Sequence, residues 1–357
     1  MANLPNPNLK WEQTAQTNIG WDLGFFDGRL NIGGDFYYKK TTDLFTNVDV
    51  SPINGITSYI MNNGDMLNKG FSISLNGYPV KTKNFRWYMS TYYSVNLNKV
   101  QTDDARNYNL NDYLNGTAVV SGQPISTFYS YKFLGLNPQN GAPMFDDWED
   151  RWHLLQGKTL DEVVPMILVN SGTRDPKFSG DLNNTFTYKN WSLSLNFSYS
   201  LGSKVRLFEM YGPIINGISA AANVREEFLD RWQVPGDEKY TVYPLIISPS
   251  SPDYEHYRLH YSAPQRAVGP NSGVPAFANN VWQMYDDSGN YLKLQSLSFS
   301  YRLNDRLLRK TPFTQLSISF NTHNCFTISA KELRGQDPSQ AGFADAGLSI
   351  RPSYTIG

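Results

Sequence analysis

Period-two alternation of apolar and polar residues is the feature that most constrains this chain. From Asn18 to Phe25 every second residue is apolar, Asp27-Gly28 follows, and the alternation resumes from Leu30 to Lys39. Asp-Gly favours the tight turn between two antiparallel strands. A period of two over this length predicts a long hairpin with one apolar and one polar face. Its apolar face ends in large aromatic residues, as it does where a β-barrel meets lipid.

The same alternation returns along the chain and predicts about eleven strands. Their connections are alternately short and long, and the short ones lie near Asp27, Lys81, Asn137, Lys189 and Asp305. Outer-membrane barrels segregate short periplasmic turns from long outer loops in this way. The sequence therefore predicts an all-β protein: part of a transmembrane antiparallel β-barrel with long extracellular loops.

Three local irregularities are also expected. The strand 291–303 changes phase near Gln295, which predicts a β-bulge. The long connection 203–290 contains a helical pattern near 219–232, followed by Pro235-Gly236. Thr159 and Glu162 have the spacing of a capping box, which predicts a second short helix. The long loops are thus expected to contain short helices.

Composition bounds the class of protein. Mean hydropathy is −0.46, and no 18-residue apolar run predicts a membrane helix, but barrel strands average out as polar. The net charge of −1 comes with no basic arm, which argues against a nucleic-acid partner.

Cys325 is alone, so no intrachain disulfide is possible. The opening Met1-Ala2-Asn3-Leu4 lacks the pattern of a signal peptide, and we expect a fragment of a longer protein.

Several motifs together resemble the SusC/RagA family of TonB-dependent outer-membrane transporters, over essentially the whole chain. The first is Asn-Pro-x-Leu-x-Trp-Glu, and the others are an Asn-x-Gly before a strand, Arg-Trp-x-x-Pro-Gly-Asp, a Tyr-Leu strand start and Gly-x-Asp-Pro. Their characteristic residues here are Asn6, Pro7, Leu9, Trp11, Glu12, Asn68, Gly70, Arg231, Trp232, Pro235, Gly236, Tyr291, Asp337 and Pro338.

The resemblance implies that residues 1–357 are about the C-terminal half of a barrel of about 22 strands. The signal peptide, TonB box, plug domain and first barrel half are then expected to lie outside this chain. The implied function is active import of oligosaccharides or peptides across the bacterial outer membrane. The implied partners are a SusD-like surface lipoprotein, the TonB complex acting through the plug, and outer-membrane lipid.

Two departures from the family pattern limit what the resemblance carries over. Many relatives have an Asp-x-Asn-x-Asp-Gly loop that suits calcium, whereas this chain has Asp146-Asp147-Trp148-Glu149-Asp150, without the alternation and the glycine. No metal or other cofactor is therefore predicted. Relatives end on an aromatic residue, whereas this chain ends at Gly357.

No catalytic constellation emerges. The acidic residues 146–150 are interpreted as an exposed loop rather than as acid and base, and the scattered His153, His256, His260 and His323 have no nucleophile motif beside them. Loop aromatics are the candidate ligand or partner residues, because flat rings stack on sugars or pack on peptides. They are Trp148, Trp152, Tyr254, Tyr257 and Tyr261. The alternative is that these rings pack within the loops or against the lipoprotein.

The sequence leaves three other classes open. One is a passive porin-like or adhesin barrel, a second is a soluble carbohydrate-binding β-sandwich, and a third is a non-functional gene fragment. It names no substrate.

Overall fold

A computed structural model describes residues 6–49, 58–102, 108, 112–113, 118–146, 154, 162, 166–206, 226–246, 248, 250–252, 254, 286–309, 311–340 and 351–357. Its strands are β1 (Gln13–Phe25), β2 (Leu30–Thr42), β3 (Phe45–Asp49), β4 (Ser58–Asn62), β5 (Asp65–Lys81), β6 (Phe85–Gln101), β7 (Thr127–Tyr131), β8 (Phe133–Leu136), β9 (Pro143–Phe145), β10 (Leu168–Thr173), β11 (Phe178–Tyr188), β12 (Trp191–Leu201), β13 (Lys204–Arg206), β14 (Asp286–Ser288), β15 (Tyr291–Arg302), β16 (Ser317–Ser329) and β17 (Ser353–Ile356). Short 3₁₀-helices cover Glu226–Asp230, Asp237–Lys239, Lys331–Leu333 and Pro338–Gln340, and one α-helical turn covers Asp305–Leu308.

The main sheet is one antiparallel wall in the order β1-β2-β5-β6-β11-β12-β15-β16-β17. Its strands cross the sheet in chain order, with the small strands of the loops left out of it, as in an up-and-down barrel. Short connections join β1 to β2, β5 to β6, β11 to β12 and β15 to β16, and long ones alternate with them. The short turns therefore share one end of the wall, as the sequence predicted.

The wall has two chemically distinct faces. The pairing aligns Ile19, Phe36, Phe71, Val95, Phe178 and Leu201 in one row across six strands. The adjacent row on the other face is Asp35, Ser72, Ser94, Ser179 and Ser200. Ile19 and Phe36 on the first face are 61 % and 47 % exposed, so this apolar face is not covered by protein. Two such faces are typical of the wall of a transmembrane β-barrel, with the apolar face toward lipid and the polar face toward the interior.

At two positions of the wall an aromatic ring lies directly against the backbone of a glycine, where no side chain would fit. A Cβ at Gly34 would lie 2.3 Å from the Trp21 indole on the outer face. A Cβ at Gly70 would lie 2.0 Å from the Val95 carbonyl oxygen and 2.7 Å from the Tyr37 hydroxyl. Tyr37 Oη reaches across Gly70 and donates to Asn96 Oδ1 at 2.7 Å. Gly70 is therefore a steric requirement of the wall.

The main sheet has two strands fewer than the about eleven that the alternation suggests. The predicted strands 127–136 and 142–145 form small separate sheets, in which β7 pairs with β10 and β8 with β9. The turn at Asn137 therefore belongs to a folded outer loop and is not at the short-turn end. Because these two segments follow one another in the chain and both leave the wall, the alternation of short and long connections along the wall is unchanged.

The bulge predicted at Gln295 is confirmed, since the ladders of β15 with both neighbours change register there. Of the helix expected near 219–232, the structure describes a 3₁₀-helix at Glu226–Asp230, and the earlier residues lie outside the described part. Thr159 of the expected capping box also lies outside it. Among the described residues no helix is long and apolar enough to cross a membrane.

Most of the tightly packed core among the described residues lies in the loops, and the wall contributes Val95, Val100 and Leu294. Strand β7 is buried along its whole length, and Phe128 and Tyr131 are each only 1 % exposed. Leu333 of the last long loop is likewise 1 % exposed. The long loops therefore fold into a compact structure at one end of the wall.

Candidate functional site

Three loop segments meet at the long-loop end and define what we call the loop cap: residues 137–141, 226–245 and 331–340. Trp232 lies at its centre and is 4 % exposed. A Cβ at Gly141 would lie 2.3 Å from its ring, so the indole packs directly on that backbone. The backbone N–H of Trp232 donates to the Tyr243 carbonyl at 2.9 Å, and the backbone N–H of Leu245 donates to the Gly141 carbonyl at 3.2 Å. The first two segments are thereby fixed to each other.

The turn after Trp232 is built by two carboxylates. Asp237 Oδ2 accepts from the Val234 N–H at 3.0 Å and from the Gln233 N–H at 2.9 Å. These hydrogen bonds hold the pKa of the Asp237 carboxyl below its ordinary value. Glu238 Oε2 accepts from Trp232 Nε1 at 3.2 Å and from the Gly236 N–H at 2.8 Å.

Gly236 has a φ of +110°, which non-glycine residues rarely adopt. The family motif Arg-Trp-x-x-Pro-Gly-Asp therefore encodes a self-capped turn around a buried indole.

The third segment joins the cap through Arg334. Its guanidinium forms an ion pair with Asp230 and lies over the Tyr243 ring, 5.9 Å from the centroid. Leu333 beside it is buried, and Arg334 itself has a left-handed conformation before Gly335. This sharp turn directs the chain back toward the wall.

The same segment is then fixed to the wall by a buried ion pair. Lys293 Nζ on β15 lies 2.9 Å from Asp337 Oδ2, and their side chains are 4 % and 7 % exposed. Asp337 Oδ1 accepts from the Ser339 N–H at 2.9 Å and from Ser339 Oγ at 2.6 Å. Burial alone would raise the pKa of the Asp337 carboxyl, but Ser339 and the Lys293 ammonium together hold it below its ordinary value.

A cleft of about 820 Å³ opens on the loop cap. Its walls come from 226–243 and 331–334, so it exists only where these segments meet. Tyr240, Leu229 and Val242 line it and are 90 %, 73 % and 46 % exposed. The charged lining includes Asp230, Arg334, Lys331 and Glu332. An open cleft that combines exposed aromatic and aliphatic side chains with charges of both signs suits recognition of another molecule.

The opening motif binds the first outer hairpin to the wall. Asn6 Nδ2 donates to the Ile60 carbonyl at 2.9 Å, and Glu12 Oε1 accepts from the Phe45 N–H at 2.8 Å. Between them, Lys10 exchanges hydrogen bonds with the Asn62 side chain. The β3–β4 extension is thereby fixed beside β1, while Trp11 is 86 % exposed.

Asn68 has a comparable bridging role, because its Oδ1 accepts from Asn98 Nδ2 at 2.8 Å. Asn98 Oδ1 in turn accepts from the Ile125 N–H at 2.9 Å. This pair connects the wall to the loop that follows β6.

The predicted aromatic candidates are only partly described. Tyr254 is half-buried, and its N–H donates to the Ser251 carbonyl at 3.1 Å. It does not line the cleft. Trp148, Trp152, Tyr257 and Tyr261 lie outside the described residues, as do His153, His256, His260 and acidic positions 147–150. Within the described part, no His, Cys, Asp and Glu side chains group as a metal site.

The cleft residues Tyr240, Leu229 and Arg334 were missed by the sequence reasoning. No local signal marks them, because Arg334 and Asp230 are 104 positions apart and meet only through the fold.

A two-faced antiparallel wall with a folded loop cap agrees with the comparison to known proteins. Residues 1–225 match the family model described as TonB dependent receptor-like, beta-barrel. The chain belongs to this family. It is thus part of an outer-membrane β-barrel, as the apolar outer face requires.

Curated relatives in the family are longer than this chain. It is 25 % identical over 353 residues to TonB-dependent receptor P3 of Formosa agariphila, and this alignment covers 95 % of this chain and 32 % of P3. It is 30 % identical over 224 residues to TonB-dependent receptor SusC of Bacteroides thetaiotaomicron, covering 59 % of this chain and 21 % of SusC. The chain thus spans about a third or less of these relatives.

The RagAB peptide transporter has the same fold over this region. The superposition covers 100 % of this chain and 36 % of the matched RagAB chain, with a TM-score of 0.71 and 21 % sequence identity. At this identity the likeness establishes the architecture of the wall and cap.

Proposed function

We propose that residues 1–357 form the C-terminal barrel part of a TonB-dependent importer of large nutrients, oligosaccharides or peptides. The observation that carries the proposal is the wall itself. One face is apolar and exposed to lipid, and the opposite face is lined with Ser, Asn and Asp. Such a wall encloses a polar path through the membrane. A soluble sandwich would bury its apolar face between sheets, so this alternative is not supported.

In this proposal the chain contributes the pathway and the outer recognition surface, and catalyses no reaction. The plug and TonB box are supplied by sequence outside residues 1–357 and couple transport to the TonB complex. The loop cap faces a SusD-like lipoprotein, with Tyr240, Leu229 and Val242 available for contact at the cleft. RagAB is named a peptide transporter, and this supports large polar cargo for the present chain only as a class.

The first test is to read the DNA on both sides of this reading frame. An upstream in-frame plug and a neighbouring SusD-like gene are the expected result, and the enzyme genes beside them would indicate the substrate class. Real start and stop codons without barrel sequence around them would overturn transport and favour a decayed gene.

The second test separates active from passive transport. The reading frame is deleted from the chromosome, and growth is compared on single glycans and on peptides as sole carbon source. We expect loss of growth on one substrate class, restored by the intact gene and reproduced by loss of TonB function. Growth that depends on the gene but not on TonB would indicate a porin. Unchanged growth on every substrate tested would contradict the importer.

A further inference from the structure

A groove on the lipid-facing side of the wall has no role in the proposed transport. It has a volume of about 320 Å³ and lies at the short-turn end, between β2, β5 and β6. The residues that line it are Phe26, Arg29, Leu30, Leu75, Gly77, Tyr78, Pro79 and Met89. Leu30 pairs with Gly77, and Gly77 with Met89, so these positions follow the apolar outer face of the wall.

A bulge creates the groove. The β5–β6 ladder changes register between Gly77 and Val80, which takes Tyr78 and Pro79 out of the regular pleat. Gly77 lines the groove without a side chain, and the β2 backbone approaches so closely that a Cβ there would lie 2.5 Å from the Arg29 carbonyl oxygen. The turn residue Phe26 is 75 % exposed and forms the lower edge. The result is an apolar slot that runs along the wall to its periplasmic rim.

The rim below this slot is cationic. The two turns that flank it carry Arg29 and Lys83 against a single carboxylate, Asp27. Among the described residues neither of these two cations has an ion-pair partner. The face is immersed in lipid and the rim lies at the level of the periplasmic headgroups, so the medium around the groove offers both acyl chains and phosphates. Basic residues at such a boundary favour anionic lipid.

We propose that this groove is a binding site for one anionic phospholipid of the periplasmic leaflet. An acyl chain occupies the slot between Leu75 and Met89, and the phosphate lies against the cationic turns. The bulge at Tyr78-Pro79 shapes the slot, and the charge of the rim selects the headgroup.

The test uses the protein extracted from the outer membrane of cells that carry this reading frame. It is placed in vesicles of phosphatidylethanolamine and phosphatidylglycerol that contain a trace of phosphatidylglycerol with a photoactivatable acyl chain. After illumination, labelled peptides are identified by mass spectrometry. We expect labelling at 26–30 and 75–89 about tenfold above that around Phe299, a residue of the same apolar face that is 42 % exposed.

Variants assign the effect to the groove and to the rim. Leu75→Trp and, independently, Met89→Trp fill the slot and are expected to remove the excess labelling, whereas Phe299→Trp leaves it intact. Lys83→Glu is expected to lower labelling by phosphatidylglycerol, whereas Lys189→Glu, on the neighbouring turn, does not. Each variant is first checked for the heat-dependent gel shift of a folded barrel.

Three results would overturn the proposal. Labelling in proportion to the exposed area of each residue would show that the groove contacts only the ordinary lipid that surrounds the barrel. Equal labelling by photoactivatable phosphatidylethanolamine would remove the selection for an anionic headgroup. Competition by inorganic phosphate, without competition by unlabelled phosphatidylglycerol, would point to a free-anion site. None of these outcomes bears on import, so this test and that of the transporter fail independently.

Discussion

Replacing Asp337 by Asn should release the last long loop from the wall. Asp337 and Lys293 form an ion pair at 2.9 Å, with side chains 7 % and 4 % exposed. The substitution keeps the shape of the side chain but leaves the Lys293 ammonium buried without its counter-charge. Removing one partner of a buried pair costs about 3–5 kcal/mol. This corresponds to an increase of roughly two to four orders of magnitude in the population of the open loop.

An exposed pair in the same wall provides the matched control. Lys40 and Asp65 lie 2.8 Å apart, but their side chains are 49 % and 38 % exposed. Solvent screens such a pair, so its loss should have little effect on stability. Lys40→Met should therefore leave the loops unchanged.

Amide hydrogen exchange measures the opening directly. In Asp337→Asn, exchange at 331–340 should accelerate by roughly two to four orders of magnitude, while β11 and β12 exchange as before. The double variant Lys293→Met with Asp337→Leu should recover most of the protection, because it removes both charges. Unchanged exchange in the single variant would refute the reasoning. So would a double variant whose loss of loop stability equals the sum of the losses in the two single variants.

Three further predictions follow from the same geometry. The lowered pKa of Asp337 stabilises the folded loop fully above the ordinary carboxyl pKa, and this stability is lost as pH falls through the lower pKa of the folded state. Hydrogen exchange of the loop, corrected for the intrinsic effect of pH, should therefore rise at acidic pH. Protection that does not change with acidic pH would contradict this prediction. Gly70→Ala should prevent the heat-resistant folded band on gels, whereas Gly24→Ala, whose Cβ meets nothing closer than 3.4 Å, should not. Ile73→Lys on the lipid face should cost about 2–4 kcal/mol in urea unfolding, and Ser72→Lys on the inner face much less.

Local sequence determined the two faces of each wall strand. Alternation along one strand fixes which side chains share a face, because the side-chain period of a strand is two wherever that strand finally lies. The Asp27-Gly28 turn, the bulge at Gln295 and the two opposed faces could therefore be predicted from single segments, and each is confirmed.

Strand-like sequence alone could not decide which strands join the wall. Thr127–Tyr131 has the composition of a wall strand, yet it pairs with Leu168–Thr173 in a small sheet and is buried on both faces. Pairing is settled by which edge is free and close, and that depends on the path of the whole chain.

The candidate site was decided by tertiary structure. The sequence supplied the motif residues Trp232 and Asp337, but their roles come from distant partners, Gly141 and Lys293. A buried indole or carboxylate acquires its function from what surrounds it, and those neighbours lie in other loops. The cleft between Asp230 and Arg334 has no local sequence signal for the same reason. Periodicity is a property of a segment, whereas a pocket is a property of the segments that the fold brings together.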